Sequence, residues 1–574
     1  MEPLNPMSGN DAPTERGLGI RAHSFIGVLT ILSGVFFGTN GYLVGYYEQS
    51  LLSIHGIALA DRTAFVGDWF NLNAPQPHIF FDVVTYFGEK LQLLDGVYFA
   101  YYLVSCTMFV LGTALLARHW LPLRLQWMQH FVTILATVGP SFSLGTFLTI
   151  HMEAVPNMAG ACAAYLGIAM LITRRWTWLA VMLPVTSVLH LQHGLGLASI
   201  VILATILRFT EKRLVLLASS MLTIAIAVMT VVERDLLGGS KEIANDVAEV
   251  GSTGHFNAQL WGSRVIWSGI FLIVLALLNF ALDSRSAPGR RLFGVFMIAS
   301  LAPIVGVVSD LWNIEPFQSL ARSFFVYRYS MYLVPFAYWL IVRLFARSTM
   351  DRSYLAVPEL LLSLFLLWRV THLIYSWSAT YFHLGELFVI GLLVVTARIV
   401  GRKPTFLARG LIVLVAVAAS IAMFNSASDI YGRDWPHLGL SRNDPNVLRT
   451  GEAAQHLGPK DVLATDPSIG WMRLFLRRAI VADCHGTPYG GDAWWEYRRR
   501  LRALGVEKPN QCTGFRDLSY DRILALRESV GATTILLDPG AASYGDAVAN
   551  LKVRWKAEDG SDWTIFELPT GAGT

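Results

Sequence analysis

The sequence predicts a polytopic α-helical membrane protein of about 13 spans, followed by a C-terminal extracytoplasmic α/β domain. Hydrophobic residues make up 54% of the 574 residues and charged residues only 15%, with a mean hydropathy of +0.47. Apolar windows long enough to cross ~30 Å of hydrocarbon recur along the chain up to residue 425. Beyond about residue 430 these windows stop, and charges of both signs become frequent. That change of composition predicts a water-soluble domain after the last span.

The predicted spans are apolar stretches nearly free of charged residues. They lie at 25–45, 97–117, 130–149, 157–173, 176–190, 193–209, 213–232, 264–282, 291–309, 330–346, 354–375, 382–399 and 407–425. Cytoplasmic loops of membrane proteins are enriched in Lys and Arg, and here every second connection is basic, beginning with Arg16 and Arg21. The chain is therefore predicted to lie in the cytoplasmic (inner) membrane with its N-terminus in the cytoplasm and its C-terminal domain outside.

Three regions follow from these boundaries. Residues 1–24 form a cytoplasmic tail, and residues 25–425 form a transmembrane domain with a long first outward loop at 46–95. Residues 426–574 form the outward domain, in which "DVLATD" and "TTILLD" are typical of buried strands and "AWWEYRRRLRAL" of an amphipathic helix. The net charge of +4 is scattered over loops, so nucleic acid is not a predicted partner. The apolar spans make membrane lipids predicted partners.

The first outward loop contains a carboxylate among aromatic residues. Its segments 48–62 and 79–94 have the mixed apolar and polar spacing of helices at a membrane interface. Between them, "GDWF" places Asp68 beside Trp69. A carboxylate at the membrane boundary is costly unless it is paired, and such residues often mark functional sites. The alternatives for Asp68 are helix capping or an ion pair with Arg62 in a solvated loop.

Two further polar patches are predicted on the same side of the membrane. The segment "TIHMEAVPN" contains His151 and Glu153, and "HLQHG" contains His190 and His193. Imidazole and carboxylate groups supply acids, bases and ligands for divalent metals. Each histidine could instead be an interfacial residue with satisfied hydrogen bonds. The chain has no HExxH or CxxC spacing, so a tight structural zinc site is not predicted.

A fourth patch, "FQSLARSFFVYRYSMYLVP", brings Arg322 and Arg328 to an outward loop that should be poor in arginine. A guanidinium suits bidentate contact with a phosphate, which makes a lipid phosphate one candidate ligand. Snorkelling, or a salt bridge to Asp310 or Glu315, is the alternative.

Four cysteines are present in the sequence. Cys106 and Cys162 lie within predicted spans, where a free thiol behaves as a small hydrophobic group. Cys484 and Cys512 both lie in the outward domain, where an oxidising environment permits a disulfide. The sequence leaves open whether these two are bonded or free.

Taken together, these features resemble the GT-C class of membrane glycosyltransferases, and more narrowly a poorly characterised bacterial subgroup near that class. The matching pieces are "GDWF" and "PQPH" in the first loop, the stretch from Glu153 to Pro156, "HLQHG", and "LARSFFVYRY". In the tail, "RLFLRRAIVADCHGTPYGGDAWWEYRRRL" matches best. The resemblance covers most of the chain, although its motifs are short and mainly topological.

The resemblance implies an inverting enzyme that takes a sugar from a polyprenyl-phosphate donor to an envelope glycan, lipid or protein acceptor. Asp68 would match the first-loop acid that acts as general base or helps to bind a metal. Arg322 or Arg328 would match the arginine that binds the donor phosphate. Apart from the resemblance, Trp69 is a candidate for stacking on a sugar on the acceptor side, with the aromatic belt of the membrane as the alternative, and His485 is a candidate for a position near the acceptor. Because Asp68 has no second acid in a DxD or ExD pair, dependence on a divalent cation such as Mg²⁺ or Mn²⁺ is left open.

Two other classes compete with this interpretation. A lipid or sugar transporter would also need many spans, but transporters commonly have internal repeats and charged or broken helices at the midplane. A non-catalytic scaffold with a glycan-binding outward domain is the second. The ionisable residues of this chain concentrate at one face of the membrane, which favours an enzyme that acts at one leaflet.

Overall fold

The structure is a computed structural model of the whole chain. The residues that it describes are 20–38, 47–138, 144, 150, 153–233, 241–251, 257–261, 263–324, 326–350, 366, 445–488, 491–557 and 563–570.

Apolar helices occupy the positions of the first ten predicted spans. They are α1 (Ile20–Gly38), α5 (Leu94–Trp120), α6 (Gln129–Val138), α7 (Pro156–Ile172), α8 (Trp176–Leu189), α9 (Leu191–Ile206), α10 (Arg213–Glu233), α12 (Ser263–Ala281), α13 (Ala287–Leu311) and α15 (Val334–Met350). Within the described residues, four stretches are long and apolar enough to cross a membrane: Leu94–Trp120, Arg213–Glu233, Ala287–Leu311 and Val326–Ser348. The predicted spans 354–375, 382–399 and 407–425 lie outside the described residues apart from residue 366, so the count of about 13 stays a prediction.

The first loop forms three helices, α2 (Tyr47–Ala60), α3 (Trp69–Asn73) and α4 (Ile79–Lys90). Helix α4 has an exposed apolar face, which includes Phe80 and Phe87, as an interfacial helix should. Most of α2, by contrast, is buried. It packs against α4 on one side and against the C-terminal domain on the other, so the interfacial prediction fits α4 better than α2.

Two further helical segments connect the spans at the same end as the first loop. Helix α11 (Lys241–Val250) follows α10. Helix α14 (Phe317–Phe324) and a 3₁₀ helix at Val326–Tyr332 lead into α15. The 3₁₀ segment carries Arg328, and α14 carries Arg322. These short elements therefore determine where the two predicted arginines lie.

The C-terminal region folds as an α/β unit around a five-stranded sheet of order β2-β1-β3-β5-β4. Its elements are α16 (Pro445–Gln455), β1 (Val462–Ala464), α17 (Met472–Leu476), β2 (Ala479–Ile480), α18 (Ala493–Ala503), α19 (Tyr520–Val530), β3 (Thr534–Leu537), α20 (Tyr544–Asn550), β4 (Lys552–Lys556) and β5 (Thr564–Glu567). β1 pairs in parallel with β2 and β3, while β5 pairs antiparallel with β3 and β4. The strands predicted from "DVLATD" and "TTILLD" are thus confirmed as β1 and β3, and "AWWEYRRRLRAL" as α18.

One aromatic residue of the first loop joins the two halves of the structure. Trp69 packs both against the core of the apolar helices and against the core of the α/β unit. The guanidinium of Arg500, on α18, lies 5.1 Å from its ring centroid. Trp69 is therefore part of the contact between the first loop and the C-terminal domain.

Candidate active site

A half-buried arginine lies among histidines near the ends of α8 and α9. Nη1 of Arg328 donates to Oε1 of Gln192 at 2.7 Å and lies 3.4 Å from Nε2 of His190. Because an arginine nitrogen only donates, His190 must accept at Nε2, which leaves its proton on Nδ1. That Nδ1 is buried, and no described residue accepts a hydrogen bond from it. Arg328 and His190 thus combine a fixed positive charge with an unused N–H donor.

His78, the N-cap residue of α4, lies beside this pair. Its ring centroid is 5.1 Å from that of His190, and its side chain is buried. Desolvation lowers the pKa of His78 to about 4; the negative charge of Glu48 opposes this shift and the positive charge of Arg328 adds to it. His78 is therefore neutral near pH 7. Glu48 itself is an exposed carboxylate in the first turn of α2.

His193 is fully buried, and both of its ring nitrogens have protein partners. Nδ1 lies 2.6 Å from the hydroxyl of Tyr332, and Nε2 lies 2.9 Å from Oδ1 of Asn157. With an amide oxygen as acceptor, Nε2 carries the proton, and the tyrosine hydroxyl donates to Nδ1. Its ring centroid is 4.5 Å from that of His190, so His193 supports His190 from the side of the core.

Glu153 caps the helix that carries Glu48. Its Oε2 accepts the backbone N–H of Gln49 at 3.1 Å, and the amide of Gln49 donates to the carbonyl of Ala154 at 3.2 Å. A carboxylate at a helix N-terminus satisfies a free N–H and interacts favourably with the helix dipole. Glu153 therefore fixes the start of α2, and with it the position of Glu48.

Asp68 lies at a different place, within the contact between the first loop and the C-terminal domain. A turn with positive φ at Phe65 and Gly67 precedes it, and its Oδ1 accepts the backbone N–H of Asn71 at 2.9 Å, capping α3. Oδ2 accepts from Nε of Arg473 at 3.0 Å and from the backbone N–H of Ile480 at 3.1 Å. Both oxygens are thus engaged, and the side chain has no exposed surface. Helix capping was one of the two alternatives for Asp68, whereas its ionic partner is Arg473 and not Arg62.

Arg473 is buried between two carboxylates, those of Asp68 and Asp483. Burial by itself would lower the pKa of the Arg473 guanidinium, but the two adjacent acids raise it above its ordinary value. Asp483 also accepts the backbone N–H groups of His485 at 3.0 Å and Gly486 at 2.6 Å. The ion pairs therefore run from the first loop into the chain segment that carries His485.

Arg322 lies in a separate buried ion pair. Its Nη2 is 2.7 Å from Oδ1 of Asp310, and its Nη1 donates to Oδ1 of Asn245 on α11 at 3.0 Å. Both members of the pair are buried. The salt bridge to Asp310, which the sequence left open, is thus present, and Arg328 is the better placed of the two arginines for a phosphate.

The remaining predicted residues divide between the two sites. His485 is exposed on the C-terminal domain, and Cys484 beside it is bonded to Cys512, which settles the question of the disulfide. Trp69 lies under Arg500 at the domain contact. His151 lies outside the described residues. Within the residues that the structure describes, no group of three or more His, Cys, Asp or Glu side chains is arranged to hold a metal ion.

Sequence reasoning missed three residues that the structure brings forward: Glu48, His78 and Arg473. Glu48 follows the first predicted span almost directly, and a carboxylate at such a boundary is itself a signal. His78 ends the quoted "PQPH" motif, but nothing in the sequence pairs it with His190. Arg473 is separated from Asp68 by 405 residues, so no local pattern could have connected them.

Comparisons with known proteins give alignments at low identity. No protein-family model and no curated protein matches the chain. Among solved structures, ArnT from Cupriavidus metallidurans in the apo state has 14% identity, covering 96% of this chain and 97% of that one, with a TM-score of 0.49. An Archaeoglobus fulgidus oligosaccharyltransferase tethered to an acceptor peptide has 12% identity, covering 90% and 69%, with a TM-score of 0.39.

Proposed function

We propose that the protein is a membrane glycosyltransferase that transfers a sugar from a polyprenyl-phosphate donor to an envelope acceptor at the outer face of the cytoplasmic membrane. The observation that carries the proposal is the group formed by Arg328, His190 and His78, with the exposed acid Glu48 beside it. The motifs that resemble the GT-C class lie in the same segments of the sequence.

The basic residues suit the leaving group of such a reaction. During transfer the bond between the anomeric carbon and the phosphate oxygen breaks, and the phosphate takes the electron pair. Arg328 supplies a permanent positive charge, and Nδ1–H of His190 is a buried donor without a partner among the described residues. Donors held in place at low dielectric stabilise developing negative charge much better than water does. A phosphate beside His78 would also favour the protonated form of that imidazole.

The acceptor hydroxyl must lose its proton as its oxygen bonds to the anomeric carbon. Glu48 is an exposed acid of the first loop, and its negative charge opposes the lowering of the pKa of the buried His78. We therefore assign the general base to Glu48. The family resemblance assigns the base to Asp68, and that assignment stays a prediction. Because both oxygens of Asp68 are engaged at a buried contact, this residue is better suited to holding the first loop and the C-terminal domain in position.

The described residues do not form the ligand set of a divalent cation. Glu153 contacts the start of α2, and both nitrogens of His193 are engaged by Tyr332 and Asn157. The proposed reaction therefore uses protein side chains alone, and the dependence on Mg²⁺ or Mn²⁺ that the sequence left open stays open.

The proposal is tested with the full-length protein in lipid vesicles, a radiolabelled polyprenyl-phosphate sugar and envelope glycan as acceptor. We expect wild-type protein to form a new glycosidic bond and Arg328→Gln to lower kcat/KM by about 10²-fold or more, as for loss of one preorganised charge contact. Arg62→Gln is the matched control, because Arg62 is an exposed arginine of the first loop.

Two results would overturn the proposal. One is transfer by folded Arg328→Gln protein at the wild-type rate. The other is movement of the labelled lipid between leaflets without any new glycosidic bond, which would indicate a transporter.

A further inference from the structure

The C-terminal domain presents the edge of its sheet at which ligands commonly bind. β1 and β2 run parallel, so the loops that follow them, 465–470 and 481–488, lie at the same edge. In open α/β sheets, ligands bind outside the carboxyl ends of parallel strands, where the strand order changes direction. Here the order changes direction between β1 and β3, so loop 465–470, which follows β1, lies at this point, and loop 481–488, which follows the neighbouring β2, lies beside it. The two loops are joined by a hydrogen bond from the N–H of Cys484 to the carbonyl of Pro467 at 2.9 Å.

This edge lies against the start of α2, close to the candidate active site. Oγ of Ser50 lies 3.4 Å from the carbonyl oxygen of Gly470, to which it donates. The ring of His485 packs directly on Gly470, where a Cβ would collide with it. Ser50 is two residues from Glu48, the proposed base. Loop 465–470 therefore contacts the same end of α2 that carries the proposed base.

Several covalent and ionic contacts hold the edge in this position. Asp483 accepts the backbone N–H groups of His485 and Gly486, and its other oxygen pairs with Arg473, which pairs in turn with Asp68. The disulfide between Cys484 and Cys512 fixes the same segment to the body of the domain. A binding loop positioned by a rigid scaffold loses little conformational entropy when a ligand binds.

The chemistry of the two loops indicates a neutral ligand. Their sequences, "TDPSIG" and "VADCHGTP", contain no Lys or Arg, and the nearby Arg473 is already engaged by two carboxylates. An anionic headgroup would thus find no available cation within the loops. Their exposed side chains include Ser468 and His485, which donate and accept hydrogen bonds as sugar hydroxyls do.

We propose that the carboxyl-end edge of the sheet, loops 465–470 and 481–488, binds a neutral, hydroxyl-rich glycan acceptor, with His485 contacting it directly. This inference rests on the proposed function, since it names the acceptor class of that reaction. Asp68 and Arg473 act through Asp483 as positioning residues that hold the edge against the first loop.

The test separates acceptor from donor binding in the transfer assay described above. We expect His485→Ala to raise KM for neutral glycan acceptor about tenfold, the effect of losing one hydrogen bond of about 1.4 kcal/mol, and to leave KM for the donor unchanged. Arg328→Gln should act on the donor KM instead. His456→Ala is the control, because His456 is an exposed histidine of the same domain that stacks on Trp555.

A binding measurement distinguishes failure of the inference from failure of the proposed function. The full-length protein is applied to an array of neutral oligosaccharides and of phosphorylated glycolipid headgroups. Retention of neutral oligosaccharides that is lost in His485→Ala supports the acceptor site even if no transfer occurs. Retention of only the phosphorylated probes, or an unchanged acceptor KM in His485→Ala while Arg328→Gln abolishes transfer, overturns the inference and leaves the glycosyltransferase proposal standing.

Discussion

The carboxylate of Asp68 and the guanidinium of Arg473 form an ion pair at 3.0 Å across 405 residues of chain, and both side chains are buried. The pair joins the loop after the first span to the helix between the first two strands of the C-terminal domain. Arg473 is also paired with Asp483 and lies over the ring of Phe70, at 5.0 Å from its centroid. This contact therefore joins the first loop and the C-terminal domain, which are separated by most of the length of the sequence, into one structural unit.

We predict that Asp68→Asn destabilises the protein by about 3–5 kcal/mol, because removing one partner leaves a buried charge with incomplete compensation. The measurement is chemical or thermal unfolding of the purified protein in detergent, followed by limited proteolysis of the C-terminal domain. Asp61→Asn is the control, since Asp61 is less buried and bonds to Thr63 within the same loop. A folded, equally stable Asp68→Asn protein that has lost only kcat would instead restore Asp68 as the base.

Replacement of the proposed base should act on the chemical step. Glu48→Gln removes the proton acceptor but keeps the size of the side chain, so we expect kcat to fall by about 10²–10⁴-fold with little change in KM for the donor. The rate of sugar transfer at saturating donor and acceptor is the measurement. Glu211→Gln replaces an exposed glutamate in the connection after α9 and should leave kcat unchanged. Wild-type kcat in the Glu48 variant would rule out this assignment.

Burial of His78 should make stability depend on pH. Its pKa is about 4 in the folded protein against 6.5 in the unfolded chain, so between these values the unfolded chain binds more protons. Stability therefore falls as the pH is lowered from 6.5 towards 4, by about 3 kcal/mol in total. His78→Gln should abolish the part of this pH dependence that is due to His78, whereas His456→Gln should leave it unchanged. The measurement is the free energy of denaturant unfolding at pH 7, 5.5 and 4.5. Identical pH dependence in the wild-type and His78→Gln proteins would contradict it.

The disulfide should stabilise the C-terminal domain. Cys484 and Cys512 are 28 residues apart, and closing a loop of that length restricts the unfolded chain by about 3–4 kcal/mol. We expect the double variant Cys484→Ala, Cys512→Ala to lower the unfolding temperature of the domain and the wild type to match it after reduction. Alkylation of thiols before and after reduction verifies that the bond has been reduced, and the buried free cysteines Cys106 and Cys162 serve as the control. No change on reduction would mean that the bond contributes nothing to stability.

Local patterns in the sequence predicted those features that depend on neighbouring residues. The apolar windows predicted the positions of the ten apolar helices that match the first ten spans, and alternating or amphipathic spacing predicted β1, β3 and α18. The histidines of "HLQHG" and the arginine of "VYRY" were also identified as candidates, because such residues are unusual near a membrane boundary. What the sequence did not give is the identity of their partners.

Arg322 and Arg328 show why the sequence does not identify the partners of such residues. The two arginines are six residues apart and look equivalent in the sequence, but one is paired with Asp310 and the other lies beside His190. Similarly, Asp68 and Glu48 are both first-loop acids, and only the folded chain buries the first and exposes the second.

The sequence by itself determined that this is a chain of membrane helices with an α/β domain at its end, because hydropathy and periodicity are properties of adjacent residues. The tertiary structure alone decided which charges are neutralised and which face solvent. That outcome depends on contacts between segments hundreds of residues apart, whose desolvation and pairing energies are set only when the helices and the C-terminal domain come together.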